Sequence, residues 1–283
     1  MAETGIEWAT RIWSVVSGCT PVSAGCQRCW GRAMLRRMRR DPHLVVCHAD
    51  KLNEPFSWRG RQRAFVAPLG DLFHADVPDE FRDRMFAVMA ITPRSTYLLL
   101  TKRADLAMKY LAVSDLSTRI MTAFRPIEEQ LTNEQWLIAG GWGATNMMPW
   151  PLPNVWLGVS VEDQVTADER IPLLLETPAA LHFASYEPAL EAVDFSPWLL
   201  PQPGRPGLGW LIAGGESGAG ARPCDPAWIA AAVAQCRQAG VPAFTKQFGT
   251  AWARVNLGRR TRAGDPAEWP PGDWPREVPE VYG

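Results

Sequence analysis

Three cysteines, Cys19, Cys26 and Cys29, lie within eleven residues near the N-terminus. Gly and Pro occur in the longer gap between them, and both residue types favour a tight loop. Thiolates so close together bind a metal, form disulfides or carry out redox chemistry. A closed tetrahedral zinc site would need a fourth ligand from elsewhere, whereas three thiolates suit a four-iron cluster that leaves one iron open to a substrate or cofactor. The loop therefore predicts a metal centre, and the ligand count favours iron–sulfur.

Two alternatives stay open at this stage. His43 or Cys47 lies near enough in sequence to complete a structural zinc site, which would make the protein a zinc-stabilised barrel that binds nucleic acid. An iron–sulfur protein that only transfers electrons is the second alternative, although such proteins normally ligate all four irons. The polar residues at distant strand ends favour a catalytic site over both.

The composition allows one large folded unit without a membrane or secretion signal. The chain has 283 residues, of which 47% are hydrophobic, and a formal net charge of −1, so no global charge indicates a nucleic-acid partner. No apolar run approaches the roughly 20 residues of a membrane span, and residues 1–5 lack the charged and apolar regions of a signal peptide. Six cysteines in such a chain indicate reduced thiols. We therefore expect a cytoplasmic protein with no membrane partner.

Short apolar runs alternate with helical stretches along the chain, which is typical of a parallel sheet with crossover helices. The predicted strands are Ile12–Val16, Ala64–Pro68, Thr96–Leu100, Val155–Val159, Leu181–Ser185, Trp210–Gly214 and Pro242–Lys246. The predicted helices are Trp30–Arg40, Pro78–Ile91, Ala104–Ala112, Thr166–Glu176 and Pro226–Ala239. We expect an α/β barrel over residues 1–250, with an insertion at 113–152 and an irregular tail over 251–283.

Nearly every predicted strand runs into polar side chains. The set comprises Asp71, Lys102, Arg103, Ser160, Glu162, Ser185, Glu187, Glu216, Ser217 and Lys246. Taken singly, each is explained equally well as a helix-start charge or a solvated group. In parallel α/β barrels the C-terminal strand ends form the active face, so the whole set is expected to converge. We expect Lys246 and Glu187 to be catalytic and the other eight to bind a cofactor.

Arginines crowd the cysteine loop and the helix predicted after it. Six lie between residues 28 and 41, against Asp41 as the one acid. A solvated helix face would explain them, but a local basic strip beside a catalytic opening also binds phosphates. Arg32, Arg36, Arg39 and Arg40 recur at helical spacing. We therefore predict that these four bind a nucleic acid or nucleotide.

Several motifs together resemble a known family. They are Ile6–Trp8, Gly18–Thr20, Gly25–Cys26, Gly70–His74, Leu100–Arg103, Leu152–Glu162, Gly214–Ser217 and Lys246–Gly249. In this order they resemble a phage-associated family, largely of unknown function, that is named for a three-cysteine motif. The resemblance spans roughly residues 4 to 250. The spacing C-x6-C-x2-C before Trp30 is also similar to the cluster loop of radical S-adenosylmethionine (SAM) enzymes, which usually have three residues in the first gap.

This resemblance implies a partial TIM-type (β/α)6 barrel of the radical SAM kind. Cys19, Cys26 and Cys29 would ligate a [4Fe–4S] cluster whose fourth iron chelates SAM, and reductive cleavage would give a 5′-deoxyadenosyl radical. In radical SAM enzymes a Gly-Gly-Glu motif after the second strand often holds the SAM amino group. Here that motif ends in Glu216 after the sixth predicted strand, so Asp71 takes the corresponding position.

The resemblance also suggests a substrate and a setting. The chain also resembles phage enzymes that remodel thymidine, so we expect a rearrangement or isomerisation of a modified base in phage DNA. Such an enzyme would need an external reductant and would act in the cytoplasm of a phage-infected bacterium.

Overall fold

The computed structural model describes residues 5–124, 131–133, 135, 137 and 148–280. The strands in these ranges are β1 (Arg11–Trp13), β2 (Val16–Gly18), β3 (Val46–Cys47), β4 (Arg63–Val66), β5 (Leu69–Gly70), β6 (Thr96–Thr101), β7 (Val155–Val161), β8 (Leu181–Tyr186), β9 (Trp210–Gly214) and β10 (Ala243–Gln247). The α-helices there are α1 (Trp30–Arg37), α2 (Asp79–Ala90), α3 (Ala104–Leu111), α4 (Leu116–Phe124), α5 (Gln164–Glu176), α6 (Ser196–Leu199), α7 (Pro226–Ala239) and α8 (Gly249–Leu257).

The main sheet is a curled half-barrel of seven parallel strands in the order β1-β4-β6-β7-β8-β9-β10, flanked by helices. Its α/β architecture agrees with the alternation of strands and helices in the sequence, and the sheet has one strand more than the (β/α)6 barrel that the resemblance implies. A small second sheet, in the order β3-β2-β5, adjoins it. The cysteine loop follows β2 of this small sheet.

Most element bounds follow the sequence pattern closely, and three regions differ. The tail that was predicted to be irregular from residue 251 begins inside α8, Gly249–Leu257. The predicted strand Ile12–Val16 divides into β1, which pairs with β4, and β2, which pairs with β3 and β5. The predicted helix Trp30–Arg40 ends at Arg37, because Arg39 takes a left-handed conformation with φ 57°. Arg39 and Arg40 therefore lie beyond the helix whose face they were predicted to share.

The two faces of the main sheet carry different cores. On the convex face, alternate strand residues such as Leu99, Leu157 and Leu211 pack against the helices in one large apolar core. On the concave face, a separate aromatic core fills the space near the N-terminal ends of the strands. Its members include Trp8, Leu98, Trp156, Phe183, Trp210 and Phe244. Side chains alternate between the two faces with a period of two. The later residues of each strand that share the concave face therefore lie near the C-terminal strand ends.

The described part of the C-terminal tail lies along β10 and contacts the N-terminal segment at Glu7. The amide of Thr245 donates to the carbonyl of Pro275 (2.7 Å), and the amide of Glu277 donates to the carbonyl of Ala243 (2.9 Å). Arg276 pairs with Glu7 from the N-terminal segment. The tail thereby covers the outer edge of β10, which would otherwise be open to pairing with another strand.

Two further observations concern the rest of the chain. The predicted insertion at 113–152 contains α4, and residues 125–130, 134, 136 and 138–147 fall outside the described residues. None of the helices in the described ranges is both long and apolar enough to cross a bilayer.

Candidate functional site

Polar residues at the C-terminal ends of β7 and β8 lie on the concave face, above the aromatic core. On β7 the concave positions run Trp156, Gly158, Ser160, and the next in the same phase is Glu162. On β8 Phe183 is followed in the same phase by Ser185 and then by Glu187, which lies just after the strand. Each strand thus changes from aromatic to polar along a single face, because every second residue shares that face.

The cysteine loop leaves β2 through a position that only glycine can occupy. Gly18 has φ +87°, and a Cβ on it would lie 1.9 Å from the carbonyl oxygen of Leu44. The loop then makes a 3-10 turn over Ala24–Cys26, and α1 begins at Trp30. The six cysteines are free thiols. Cys26 is buried, whereas Cys19 and Cys29 are partly exposed.

Arg103 anchors the first part of this loop. Its guanidinium donates to the sulfur of Cys19 (3.3 Å), to the carbonyl oxygen of Thr20 (2.8 Å) and to Asp71 (2.9 Å). Asp71 also accepts from the hydroxyl of Thr101 (2.8 Å) and from the amide of Phe73 (3.0 Å). Asp71 and Arg103 are buried, so this network is held away from water and fixes the loop to the C-terminal end of β6.

Glu162 anchors the second part of the loop. Its side chain is fully buried, accepts from the hydroxyl of Ser23 (2.9 Å) and pairs with both Lys102 and Arg170. Nη1 of Arg170 lies 3.2 Å from the Glu162 carboxylate. A buried carboxylate is stable when it is paired and hydrogen-bonded, and Glu162 has both kinds of partner. A Cβ on Gly25 would lie 2.6 Å from this carboxylate, so the loop packs directly on the ion pair.

The charges beside the loop act on the thiols. Burial alone would raise the pKa of Cys26, but the charge of Lys102 and hydrogen bonds from Val22 and Ser23 outweigh it and lower that pKa. Burial lowers the pKa of Lys102 to about 8, opposed by the nearby Cys26. For Cys19, burial and Asp71 raise the pKa, against the opposing effect of Arg103. Lys102 therefore favours the thiolate of Cys26, which is the metal-binding form of cysteine.

The ligand arrangement bears on which metal the loop can hold. In the described ranges, no three or more His, Cys, Asp or Glu side chains are grouped as they are around a bound metal ion. His43, a predicted fourth zinc ligand, has Nε2 2.7 Å from a guanidinium nitrogen of Arg32. Burial raises the pKa of Cys47, the other predicted zinc ligand. The donor chemistry of the loop still fits a thiolate-held group, because a cationic side chain lies beside both Cys19 and Cys26.

A second polar group lies on β8 and β10. Nζ of Lys246 is 2.8 Å from Oε1 of Glu187, and the hydroxyl of Ser185 donates to the same carboxylate (3.2 Å). β9 separates β8 from β10, and its end residue Gly214 leaves room for the pair. A Cβ there would lie 2.9 Å from Oε1 of Glu187. Lys246 and Glu187 remain 21% and 14% exposed, so this pair is open to a ligand on the concave face.

Glu216 and Ser217 follow β9 and differ in their surroundings. Glu216 is buried and accepts from the backbone amide (2.8 Å) and Nε (3.0 Å) of Arg222, and Arg28 of the cysteine loop lies 3.8 Å away. Although burial opposes it, these hydrogen bonds and charges lower the pKa of Glu216. Ser217 is partly exposed. Glu216 thus links the loop after β9 to the cysteine loop.

The predicted nucleic-acid-binding arginines fall into two groups. Arg32 is partly buried and binds His43 and the carbonyl oxygen of Cys26. Arg36, Arg39 and Arg40 are exposed, and within the described residues their side chains have no ion-pair partner. Only this second group is available to phosphates from solution.

Several residues at the site have no counterpart among the predicted site residues. Ser23 and Gly25 contact the Glu162 ion pair from the loop, Arg170 contacts it from α5, and Arg222 holds Glu216. In the sequence, Gly25 next to Cys26 could have indicated close packing, because glycine allows other groups to approach the backbone closely. For Arg170 no such signal exists, because an arginine in an amphipathic helix normally indicates an exposed face.

Comparison with known proteins identifies a family whose function is unknown. Residues 3–270 match the family model described as a protein of unknown function, DUF5131. The chain belongs to the DUF5131 family. No curated protein and no solved structure matches it. Membership of DUF5131 extends over the cysteine loop, every strand of the half-barrel and both polar groups on its concave face, so the site is part of the family domain.

Proposed function

We propose that this DUF5131 protein is a radical SAM enzyme that holds a [4Fe–4S] cluster through Cys19, Cys26 and Cys29. The observation that carries the proposal is the position of the three-cysteine loop. It packs onto the C-terminal ends of β6 and β7 of a parallel half-barrel and is anchored there by Arg103 and Glu162. In parallel barrels this is the end of the sheet at which catalysis takes place.

The donor set supports the proposal over a structural metal. Three thiols leave one coordination position of a four-iron cluster for a small molecule. Arg103 donates to the sulfur of Cys19, and Lys102 lowers the pKa of Cys26 against the effect of burial. The zinc alternative needs a fourth ligand, and His43 is engaged by Arg32. A zinc-stabilised nucleic-acid-binding barrel is therefore the second candidate.

When bound, the cluster and SAM supply a 5′-deoxyadenosyl radical that abstracts a hydrogen atom from a substrate. The residues of the chain orient and shield this chemistry. Asp71, Arg103 and Glu162 hold the loop in place and are buried away from solvent. Lys102 is 20% exposed beside the loop and is suited to a carboxylate of SAM. The full cofactor set given above, with Ser160, Ser185, Glu216 and Ser217, stays a prediction.

Lys246 and Glu187 are assigned to the substrate. The ammonium of Lys246 can donate a proton and the carboxylate of Glu187 can accept one, and both are partly exposed on the concave face. The two groups are paired with each other (2.8 Å), so a polar substrate would bind by replacing one partner. In the proposed reaction the substrate is a modified base in phage DNA, which the enzyme rearranges without a net change in oxidation state. An external reductant would supply the electron for the cleavage of SAM.

Metal content tests the proposal. The protein is reconstituted anaerobically with iron and sulfide, and iron, sulfide and zinc are measured in the wild type and in Cys19→Ala, Cys26→Ala and Cys29→Ala. Cys47→Ala and Cys236→Ala are the matched controls, because these cysteines lie outside the loop. We expect about four irons in the wild type and controls, with most iron lost from the three loop variants.

The cluster spectrum is then recorded with and without SAM. A change in the electron paramagnetic resonance signal on addition of SAM is the expected result, because SAM would bind at the open iron. Full iron content in the three loop variants would contradict the proposal. A wild type that retains only zinc would instead establish the second candidate.

A further inference from the structure

Trp30 stands apart from the other tryptophans of the chain. Its side chain is 47% exposed, whereas every other tryptophan in the described ranges is buried or partly buried. Trp8, Trp13, Trp156 and Trp210 lie in the apolar cores. An exposed tryptophan leaves a large apolar ring in water, and a ligand that covers the ring removes this area from water. Trp30 is also the first residue of α1, directly after Cys29.

Exposed cations follow Trp30 in the same segment of the chain, residues 30–40. Arg36 and Arg37 lie in the last turn of α1, and Arg39 and Arg40 follow it. All four are exposed, and within the described part of the chain their side chains form no ion pair. The nearby Asp41 already accepts from the amide of His43 (2.9 Å). The positive charge is therefore local, in a protein whose formal net charge is −1.

We propose that Trp30 stacks on an unpaired base of a single-stranded nucleic acid whose phosphates bind Arg36, Arg37, Arg39 and Arg40. This inference rests on the proposed function and names the substrate as a single strand held at the cysteine loop. From Trp30 to Arg37 the helix rises by about 10 Å, a length over which a stacked strand carries about three phosphates. Aromatic stacking combined with phosphate contacts is the general mode of single-strand binding.

The exposed ring argues for a single strand rather than a duplex. The faces of duplex bases are covered by their neighbours, so a tryptophan can stack only on a base that is flipped out or already unpaired. Phosphate contacts alone would hold a duplex equally well and would not need Trp30. The proposal therefore predicts that a strand is preferred over the matching duplex, and that Trp30 carries this preference.

Binding of fluorescently labelled oligonucleotides to the full chain tests the inference. The probes are a 12-nucleotide oligothymidylate, the duplex of the same length and a poly-glutamate peptide, each titrated at several salt concentrations. The variants are Trp30→Ala, Trp30→Phe and Arg36→Glu/Arg39→Glu. Arg59→Glu/Arg61→Glu is the charge-matched control, because these arginines are also exposed but lie outside the segment.

The expected changes differ between the variants. Trp30→Ala should weaken strand binding roughly tenfold, and Trp30→Phe should restore most of it, because stacking needs only an aromatic face. Arg36→Glu/Arg39→Glu should weaken binding further and reduce the slope of log affinity against log salt by about 1.4, or about 0.7 for each lost phosphate contact. The control should bind like the wild type.

Iron content is measured on the same preparations, so that the two proposals fail separately. If iron loads normally but the strand does not bind, or Trp30→Ala binds unchanged, this inference is overturned and the proposed function stands. Equal affinity for the duplex or for poly-glutamate would also overturn it, because the segment would then be a non-specific anion site or a surface for an acidic protein. Normal strand binding by a protein whose loop takes up no iron would overturn the proposed function instead.

Discussion

The two ends of the concave face are built from the same strands but from opposite chemistry. Toward the N-terminal strand ends, Trp210 lies among Trp8, Trp156 and Phe183, with ring centroids 5.7–6.1 Å apart. Toward the C-terminal ends, the same face carries the Glu162 ion pairs and the Lys246–Glu187 pair. Glu187 follows Phe183 by four residues along β8, and Glu162 follows Trp156 by six residues along β7, so the change from the aromatic core to charged side chains takes place within one strand.

This contrast shows how one sheet serves both stability and chemistry. The aromatic end buries apolar area, and the burial of apolar area is the dominant favourable contribution to folding. The charged end stabilises much less, because desolvation of each buried ion offsets most of its attraction to a partner. Buried charges there are explained better by the position of the cysteine loop, which they contact directly.

Removing the central ring should break the aromatic end. Trp210 is fully buried, and its indole nitrogen donates to the carbonyl of Glu277 (2.9 Å). We expect Trp210→Ala to lower the free energy of unfolding by roughly 4–5 kcal/mol, the upper part of the range for buried aromatic residues. Urea denaturation measures this, and Trp210→Phe, which keeps a ring, should cost clearly less. A loss below about 1 kcal/mol would show that this core does not support the sheet.

Removing the buried carboxylate of Glu162 should destabilise the charged end, because two cations lose their partner. Glu162→Ala leaves Lys102 and Arg170 without their shared partner, and an uncompensated buried charge typically costs about 3 kcal/mol or more. Because Lys102 is 20% exposed, we expect about 3 kcal/mol. Glu187→Gln is the matched control at the partly exposed pair and should cost less than about 1 kcal/mol. Equal effects in denaturation would show that burial does not separate the two pairs.

Sequence patterns predict the elements of this fold better than their connections. The bounds of β9 and α7 follow from an apolar run and from a proline-started helix, and both agree with the structure. The division of Ile12–Val16 into β1 and β2 was not predictable, because a continuous apolar run does not show that the chain changes sheets. The end of α1 at Arg37 was missed for a related reason. Neither glycine nor proline marks the left-handed Arg39.

At the site, the sequence predicts which residues gather but not which of them pair. Acids, serines and cations after successive strands had to meet at one edge of a parallel sheet. That Lys102 turns to Glu162 while Arg103 turns to Asp71 depends on strand neighbours and on side-chain direction. Arg170 reaches Glu162 from α5, and only the packing of that helix on β7 brings them together.

A methyl group added at Gly25 should test how closely the cysteine loop packs on the Glu162 ion pair. In Gly25→Ala the new Cβ would lie 2.6–2.7 Å from the Glu162 carboxylate and the Lys102 ammonium, so the loop or the pair must move. Overpacking of this kind costs about 2 kcal/mol. Ala24→Ser is the control, because Ala24 is exposed. The reaction rate of Cys26 with a thiol reagent should also rise in Gly25→Ala, and an unchanged rate would show that the loop does not depend on this contact.

The smallest expected effect is a pH dependence at the N-terminal end of β8. Burial lowers the pKa of His182, whose Nε2 lies 2.7 Å from the carbonyl of Thr177. Above about pH 6.5 the histidine is neutral in both the folded and the unfolded chain, so it does not affect stability there. As pH falls through 6.5 the unfolded chain takes up a proton that the folded chain does not, so the free energy of unfolding decreases.

His182→Gln should remove this contribution. Unfolding free energies of the wild type and the variant, measured between pH 5 and 8, should run parallel above about pH 6.5 and converge or cross below it. His43→Gln is the control, because His43 is exposed and should leave the acid slope of the wild type in place. Parallel curves over the whole range would show that His182 accepts its proton equally well in both states. The N-terminal end of β8 would then tolerate a charge on the face opposite Phe183, and the contrast between the two ends of the sheet would be weaker than the buried side chains indicate.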